Sequence, residues 1–388
     1  MKSIIIFTGK GGVGKSSTAA AHAVKASMEG LKTLIVSTDM AHNVGDIFMK
    51  KLREEPVNIA ENLDGLEIDP NYEMERQYSN ITEAFKNMLP TMNGELGEGL
   101  EDIVVFPGIE ELFSLIKIKE IYDKNIYDLI IVDCAPTGET LSLLKFPELL
   151  SWYMEKLFPV GKVALKVLRP ISKVAFKVEL PDKKAMTDIE KLYYKLGDLQ
   201  QLLRDREVCS IRLVSIPEKM VVEETKRSYM YLNLYNFNVD GLYINRIIPE
   251  EVDNNFFAKW KEVQNNYLKE LEEVFVEIPT FKIKWYERDI NGIEALKRIA
   301  KDSLDDNKLF KVLKSNNNET FIKIDNGYKL ILEIPFIKKE SFDLFEGENE
   351  IIIKIGNFKR NVPLPEIIKK YDVTGAKLEG GKLEITFS

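Results

Sequence analysis

Gly9-Lys10-Gly11-Gly12-Val13-Gly14-Lys15-Ser16-Ser17 decides the reading of this chain. The apolar run Ile4-Ile5-Ile6-Phe7 precedes it and an alanine-rich helical pattern follows. That order of strand, glycine loop and helix is what a phosphate-binding loop requires. Gly11, Gly12 and Gly14 let the backbone turn its N–H groups inward, with Val13 between them, and the following helix presents its N-terminus to the same anion. In such a loop Lys15 reaches the terminal phosphates and the Ser16 hydroxyl sits on Mg²⁺, with Ser17 in the first helical turn. Lys15 fills the position that serves the chain's own phosphates, so Lys10 has no obvious use within its own loop.

Bulk properties narrow the rest. The 388 residues suffice for one large domain and a small one, and 54 basic against 62 acidic residues give a net charge of −8. That balance argues against non-specific nucleic-acid binding by the chain as a whole. Cys134 and Cys209 are far apart in sequence and form no Cys-x-x-Cys, so a disulfide framework is not expected. No signal peptide or bilayer-spanning apolar run is visible, which points to a cytoplasmic protein.

Beyond the loop, Thr33–Asp39 and Tyr127–Asp133 read as buried parallel strands with polar residues at their carboxyl ends. Further strands are expected at Ile211–Val214, Val239–Ile244 and Val274–Ile278, each near a helical pattern. The alternation predicts an α/β fold with a doubly wound, mostly parallel sheet. Asp39 ends one strand and can orient an attacking water. Asp133 ends another and can hold Mg²⁺ through water. The amide of Asn245 donates and accepts at once, which suits an adenine edge.

Lys10 within Lys-Gly-Gly-x-Gly-Lys-Ser resembles the deviant Walker A motif. Ser37-Thr38-Asp39-x-Ala41-His42-Asn43 and Asp133-x-Ala135-Pro136-Thr137-Gly138-x-Thr140-Leu141 resemble the two switch motifs of the arsenite-pump and tail-anchored-protein-targeting ATPases. Ile216-Pro217-Glu218-Lys219-Met220, Tyr243-Ile244-Asn245-Arg246 and Ile278-Pro279 look like later landmarks of that family, over roughly residues 1–310. The resemblance implies a homodimeric Mg²⁺-dependent ATPase in which Lys10 crosses to the partner's nucleotide. It implies that Asp39 serves the attacking water, that Ser16 and Asp133 hold the metal, and that Pro279 shapes the adenine pocket. Gly138 gives the second switch freedom to move when the γ-phosphate leaves. The chain departs from the family pattern at Met40, where a proline is usual, and in lacking cysteine pairs for an intersubunit zinc or a cysteine cluster for a soft metalloid. His22 and His42 have no partner cluster and receive no catalytic role. Cys134, in the second switch motif, reads either as a redox-sensitive thiol or, as is more usual beside a buried strand end, as a packed core thiol.

Residues 145–178 stand apart. Val160, Ala164, Val167, Ile171, Ala175 and Val178 recur at helical spacing, and Lys162, Lys166, Arg169, Lys173 and Lys177 fall on the opposite face. The segment reads either as a core-facing helical pair with a solvated lysine face, or as a hydrophobic client groove or membrane-surface contact. The resemblance favours the groove, because helices after the second switch shield a client's transmembrane segment in the targeting ATPases.

At Lys314–Thr320 the composition reads as a linker, and beyond it the apolar period changes to two. Tyr328–Ile334 after an Asn326-Gly327 turn, Ile351–Ile355 and Leu383–Phe387 predict strands of a β-sandwich. The pattern resembles the α-crystallin fold of small heat-shock proteins. The expected organisation is a P-loop ATPase domain at 1–314, with a helical insertion at 145–200, and an α-crystallin-like β-sandwich at 320–388. The expected function is that of an ATP-hydrolysing homodimer whose nucleotide state gates a hydrophobic client site, for membrane-protein targeting or chaperoning. The alternatives are a metalloid pump-driving ATPase and a nucleotide-sensing holdase without turnover.

Overall fold

The computed structural model describes residues 2–39, 43–69, 72–73, 76, 109–134, 183–304, 307–313, 317–337, 342–347, 349–356 and 358–388. The second switch from 135 onward, Met40–His42, and the basic apolar segment at 145–178 lie outside the described residues.

Eight strands form the central sheet: β1 (Ser3–Thr8), β2 (Thr33–Ser37), β3 (Val57–Ala60), β4 (Leu63–Glu67), β5 (Leu129–Asp133), β6 (Cys209–Ser215), β7 (Val239–Ile247) and β8 (Thr280–Lys284). Their order is β3-β4-β2-β5-β1-β6-β7-β8, parallel throughout except for β3. β1 lies between β5 and β6, where the winding of the chain reverses. That is the switch point at which open α/β sheets bind ligands. Alternation along the strands gives each face its own core. Ile4 and Ile6 point into one apolar cluster, Ile5 and Phe7 into the other. Helices α1 (Lys15–Met28) and, downstream, Gly292–Ser303 cover the Ile5 and Phe7 face. The opposite face takes α3 (Ile109–Asp123), α4 (Lys183–Arg204) and α5 (Lys219–Leu234), α2 being the short Asn43–Phe48. Then come α6 (Asn255–Val274) and α7, the Gly292–Ser303 helix.

One expected strand is displaced. Val274–Ile278 closes the end of α6 and the turn after it, and the strand begins beyond Pro279. Amphipathic periodicity carries α6 through Val274, and Phe275 and Ile278 remain packed in the core behind it. A proline has no N–H for the ladder and suits the entry to a strand.

The tail forms two antiparallel sheets. One runs β14-β15-β10-β9 (Val373–Glu379, Lys382–Phe387, Gly327–Glu333, Glu319–Ile324), the other β11-β12-β13 (Phe342–Glu346, Glu350–Ile355, Phe358–Pro363). Leu330, Leu332, Ile353, Leu383 and Ile385 are fully buried between them. The turn before β10 needs glycine at 327, because a Cβ there would meet the Phe387 carbonyl oxygen at 2.0 Å. The segment read as a linker is tied down in its described part. Asn318 donates from Nδ2 to the Phe237 carbonyl (3.2 Å), and β9 starts at Glu319.

Candidate nucleotide and metal site

The loop leaves β1 so close to β6 that a Cβ at Gly9 would meet the Val214 carbonyl oxygen at 2.2 Å. Gly12 and Gly14 hold φ of 81° and 91°, a left-handed geometry that other residues adopt only under strain. Gly14 is the N-cap of α1 and supplies no side-chain cap, so the first N–H groups of that helix face the loop mouth without a side-chain acceptor. An anion seated there meets both the loop N–H groups and the positive end of α1. Gly11 and Gly12 are exposed, Val13 is buried under the loop, and Ser16 and Ser17 are half-buried in the first turn of α1. Ser17 donates its hydroxyl to the Gly14 carbonyl at 3.0 Å.

Lys15 is buried and its Nζ reaches back to the Lys10 carbonyl oxygen at 3.4 Å, across the mouth. Lys10 points elsewhere. Its Nζ pairs with the Glu224 carboxylate on α5 at 2.9 Å. In this conformation, then, the first lysine is held by its own chain. Glu224 was not anticipated from sequence, because nothing in the local pattern of α5 marks it as facing a loop 214 residues away.

Asp133, the last residue of β5, lies in register with Phe7 on β1 and Ser37 on β2. It is fully buried, and among the described residues neither carboxylate oxygen has a hydrogen-bond partner of good geometry. Burial pushes its pKa up to about 7, with nearby Asp39 adding to the rise and Ser16 and Lys15 opposing it. An orphaned buried carboxylate beside a serine hydroxyl at a phosphate loop fits Mg²⁺, which takes one or two carboxylates and fills its shell with water and phosphate oxygens. Asp39 follows the end of β2, half-buried, its N–H donating to Ser37 Oγ at 3.3 Å. The two strand ends are stitched together. Thr38 donates its N–H to the Asp133 carbonyl (3.0 Å), and its hydroxyl meets Cys134 Sγ at 3.6 Å. Cys134 is thus packed, as its place beside a buried strand end suggested.

Asn245 and Pro279, both assigned to an adenine pocket on sequence grounds, are placed differently. Asn245 donates from Nδ2 to the Val13 carbonyl (2.9 Å) and accepts on Oδ1 from the Arg246 N–H (2.8 Å), so its amide braces the underside of the loop. The brace depends on glycine at 14, where a Cβ would lie 2.2 Å from that same Nδ2. Pro279 lies at the entry of β8, the end of the strand remote from the loop, and its carbonyl accepts from the Leu242 N–H at 3.0 Å. The carboxyl end of β8 instead leads into Trp285–Ile290. These residues, with Ser17, Asn245, Arg246 and Pro249, line a cavity of about 870 Å³ beside the loop. Sequence reading missed this wall because it ended the strand at Ile278 instead of Lys284.

Comparison with known proteins gives the context. The family model described as Anion-transporting ATPase matches residues 2–305, and one described as the HSP20-like domain found in ArsA matches 325–387. The chain is 35% identical to "Putative arsenical pump-driving ATPase 1" of Aquifex aeolicus, over 99% of this chain and 100% of that relative. It is 34% identical to "Putative arsenical pump-driving ATPase" of Chlorobaculum tepidum, over 99% and 95%. It is 27% identical to "ATPase get3" of Pyrenophora tritici-repentis, over 76% and 89%. The chain belongs to the Anion-transporting ATPase family and carries the HSP20-like domain found in ArsA.

Proposed function

We propose that this chain is a Mg²⁺-dependent ATPase that converts ATP and water to ADP and phosphate, acts as a homodimer, and uses its nucleotide state to handle an apolar client. The observation that carries the proposal is Asp133, a buried carboxylate whose oxygens have no well-formed hydrogen bond among the described residues, with Ser16 and Lys15 beside it at the switch point of the sheet.

The chain's residues divide the work as follows. The N–H groups of Gly11–Ser17 and the first turn of α1 cradle the phosphates, and Lys15 swings from the Lys10 carbonyl onto the β and γ oxygens. Ser16 and Asp133 would hold Mg²⁺. When bound, the metal neutralises charge on the bridging and terminal phosphate oxygens. Asp39 orients the attacking water, a positioning task that needs no raised pKa. The cavity between Arg246 and Trp285–Ile290 receives the nucleoside, with Asn245 fixing the loop that faces it. Lys10 leaves Glu224 to reach the nucleotide of a second copy. The client site is assigned to residues 145–178.

Turnover of wild type, Lys15→Ala and Asp39→Asn tests the site, and undiminished hydrolysis in both variants refutes it. Pull-down of apolar client by nucleotide-trapped Asp39→Asn tests the client half. Material bound equally with and without ATP favours a holdase instead.

The names of the first two relatives favour a second reading, a pump-driving subunit that answers to a metalloid. Soft trivalent metalloids take thiolates. The two cysteines are both buried, Cys134 after β5 and Cys209 on β6, with β1 between those strands. Burial pushes the Cys209 thiol up, away from the thiolate form. Hydrolysis stimulated by arsenite or antimonite would restore this reading.

A further inference from the structure

Two side chains on one face of the sheet bracket the first switch. Ser37 on β2 and Glu67 on β4 are a register pair of parallel neighbours, so they point the same way. Ser37 Oγ accepts the N–H of Asp39 at 3.3 Å, and Glu67 Oε1 accepts the N–H of Gly45, in the first turn of α2, at 2.7 Å. The second bond is the shorter, as suits a carboxylate acceptor. It meets one of the N–H groups that a helix start leaves without an intrahelical partner. Glycine at 45 permits the approach, because a Cβ there would lie 2.9 Å from the Lys50 carbonyl oxygen and 3.1 Å from Glu67 Oε1. Val44 and Phe48 bury the core side of α2. The side that faces Glu67 is not packed; it opens on a cavity of about 710 Å³ that Gly45, Asp46, Met49 and Glu67 line. Only residues 40–42 lie between Asp39 and α2, a connection too short to absorb a shift of its far end.

We propose that Glu67 is a positioning residue for hydrolysis. By holding the Gly45 N–H it fixes the far end of the first switch, and with Ser37 at the near end it sets where the Asp39 carboxylate stands. The proposal rests on the reading of Asp39 as the residue that orients the attacking water. Glu67 itself contacts neither nucleotide nor metal; it acts through α2. Nucleotide affinity depends on the phosphate loop and on the cavity at Trp285–Ile290, which Glu67 does not reach. A shift of about 1 Å in a catalytic group, by contrast, costs up to about a hundredfold in rate.

Steady-state hydrolysis by the full chain over an ATP series in saturating Mg²⁺ tests this, with nucleotide affinity read by calorimetry. Glu67→Ala should lower kcat by about ten- to a hundredfold and leave KM and nucleotide affinity within about twofold of wild type. Glu67→Gln keeps an oxygen at the same reach and should stay within about fivefold of the wild-type kcat. Glu67→Asp keeps the charge but falls a methylene short of Gly45, and should fail like Glu67→Ala. In the Asp39→Asn background Glu67→Ala should cost no more than about twofold, because the two residues act as a unit. A wild-type rate in Asp39→Asn refutes the reading of Asp39 and the proposal with it. A slow Asp39→Asn beside a Glu67→Ala of wild-type kcat refutes the role of Glu67 alone. So does a KM that rises as much as kcat falls, a Glu67→Asp faster than Glu67→Gln, or losses that multiply in the double variant. Should Glu67→Ala not fold, the comparison of Glu67→Gln with Glu67→Asp decides.

Discussion

Replacing Asp133 by asparagine should stabilise the metal-free protein while abolishing its Mg²⁺-dependent turnover. The carboxylate is fully buried, and among the described residues its oxygens have no hydrogen bond of good geometry. Its pKa rises from 3.8 to about 7 on folding. A raised folded-state pKa means that the native protein holds this proton more tightly than the unfolded chain does. The stabilising effect of the protonated form is fully present below pH 3.8 and is lost as pH rises to about 7, at about 1.4 kcal/mol per pH unit. Over that interval the loss approaches about 4 kcal/mol, an upper figure because relaxation and water entry reduce the penalty of a buried charge. Asparagine keeps the shape and removes the titration. Urea unfolding of both proteins in EDTA at pH 4, 5, 6, 7 and 8 should give nearly equal stabilities at pH 4, a gap in favour of Asp133→Asn that widens to pH 7, and no further change at pH 8. Adding Mg²⁺ to the nucleotide-bound proteins should stabilise wild type further and add much less to the variant, which keeps the loop and Lys15 but lacks the carboxylate for the metal. A variant equally or less stable than wild type at pH 8 without metal, or a gap that does not vary with pH, refutes the account of Asp133 as an unpaired carboxylate awaiting a cation.

Asn245→Ala leaves the Val13 carbonyl and the Arg246 N–H without their side-chain partner, so stability should fall by about 1–3 kcal/mol and nucleotide affinity should weaken, both read by calorimetry. His22 is fully buried between Phe7 and Tyr243 with both ring nitrogens unpaired, and burial and the Arg212 charge hold its pKa well below the ordinary histidine value. Its neutral form contributes stability above pH 6.5 that is lost as pH falls, so His22→Phe should gain on wild type by about 1.4 kcal/mol per pH unit below that point; parallel unfolding curves of wild type and variant would contradict this. Glu224→Gln removes the in-chain partner of Lys10. Because both side chains are about a third exposed, each pair is worth about 0.2–1 kcal/mol, and with one pair released in each copy analogue-dependent association should strengthen by no more than about thirtyfold in sedimentation. Arg360→Ala strips a buried guanidinium from the Leu234 carbonyl and from the Glu319 carboxylate and should cost about 3–5 kcal/mol in denaturant unfolding.

How much of this was legible in the sequence depends on where each signal resides. The phosphate loop, β1, β2, β5 and β6 were readable because glycine spacing and unbroken apolar runs are local facts. β3 and β4 were not, because Val57–Ala60 at the sheet edge and Leu63–Glu67 beside it are short and interrupted by Asn58, Asp64 and Gly65, with no run to detect. In the tail, β10, β12 and β15 alternate cleanly, whereas β14 is almost wholly exposed and gives no period. Asp133 could be singled out as a strand-end carboxylate, but its lack of partners is a property of the assembled site. Asn245 carries the amide that sequence reading noticed, yet its role follows from Gly14, a residue 231 positions away whose missing side chain makes room for it. Pro279 precedes β8 instead of ending a strand, because a dipeptide motif marks a strand boundary without saying which end of the strand it occupies.

The boundary read near residue 314 separates two folds and does not separate two stabilities. Helix α5 ends at Leu234, and an α-helix leaves its last carbonyl groups without partners of its own. Here Arg360, from β13 in the tail, donates to the Leu234 carbonyl, and Tyr235 donates its hydroxyl to the Lys359 carbonyl at 2.8 Å. Tyr231 stacks on Phe358 with ring centroids 3.6 Å apart, and Tyr229 and Phe275 pack against Phe336. The connection is fastened as well. Buried Arg212 donates to the Lys311 carbonyl, and Asp240 accepts from the Leu313 N–H at 2.7 Å. The neighbouring carbonyls of Tyr231, Leu232 and Asn233 are met by Tyr235, Phe237 and Asn236 of the helix's own turn, so a tail on a free tether would leave the Leu234 carbonyl without Arg360 and would bare Tyr231 and Tyr235. The apolar cluster beneath β1 runs without a break into the sandwich, so the tail completes the core of the domain that precedes it. The same helix holds Glu224 against Lys10 ten residues earlier, about 15 Å along its axis. The helix whose end the tail meets at Leu234 and Tyr235 is thus the helix whose Glu224 pairs with Lys10 of the phosphate loop.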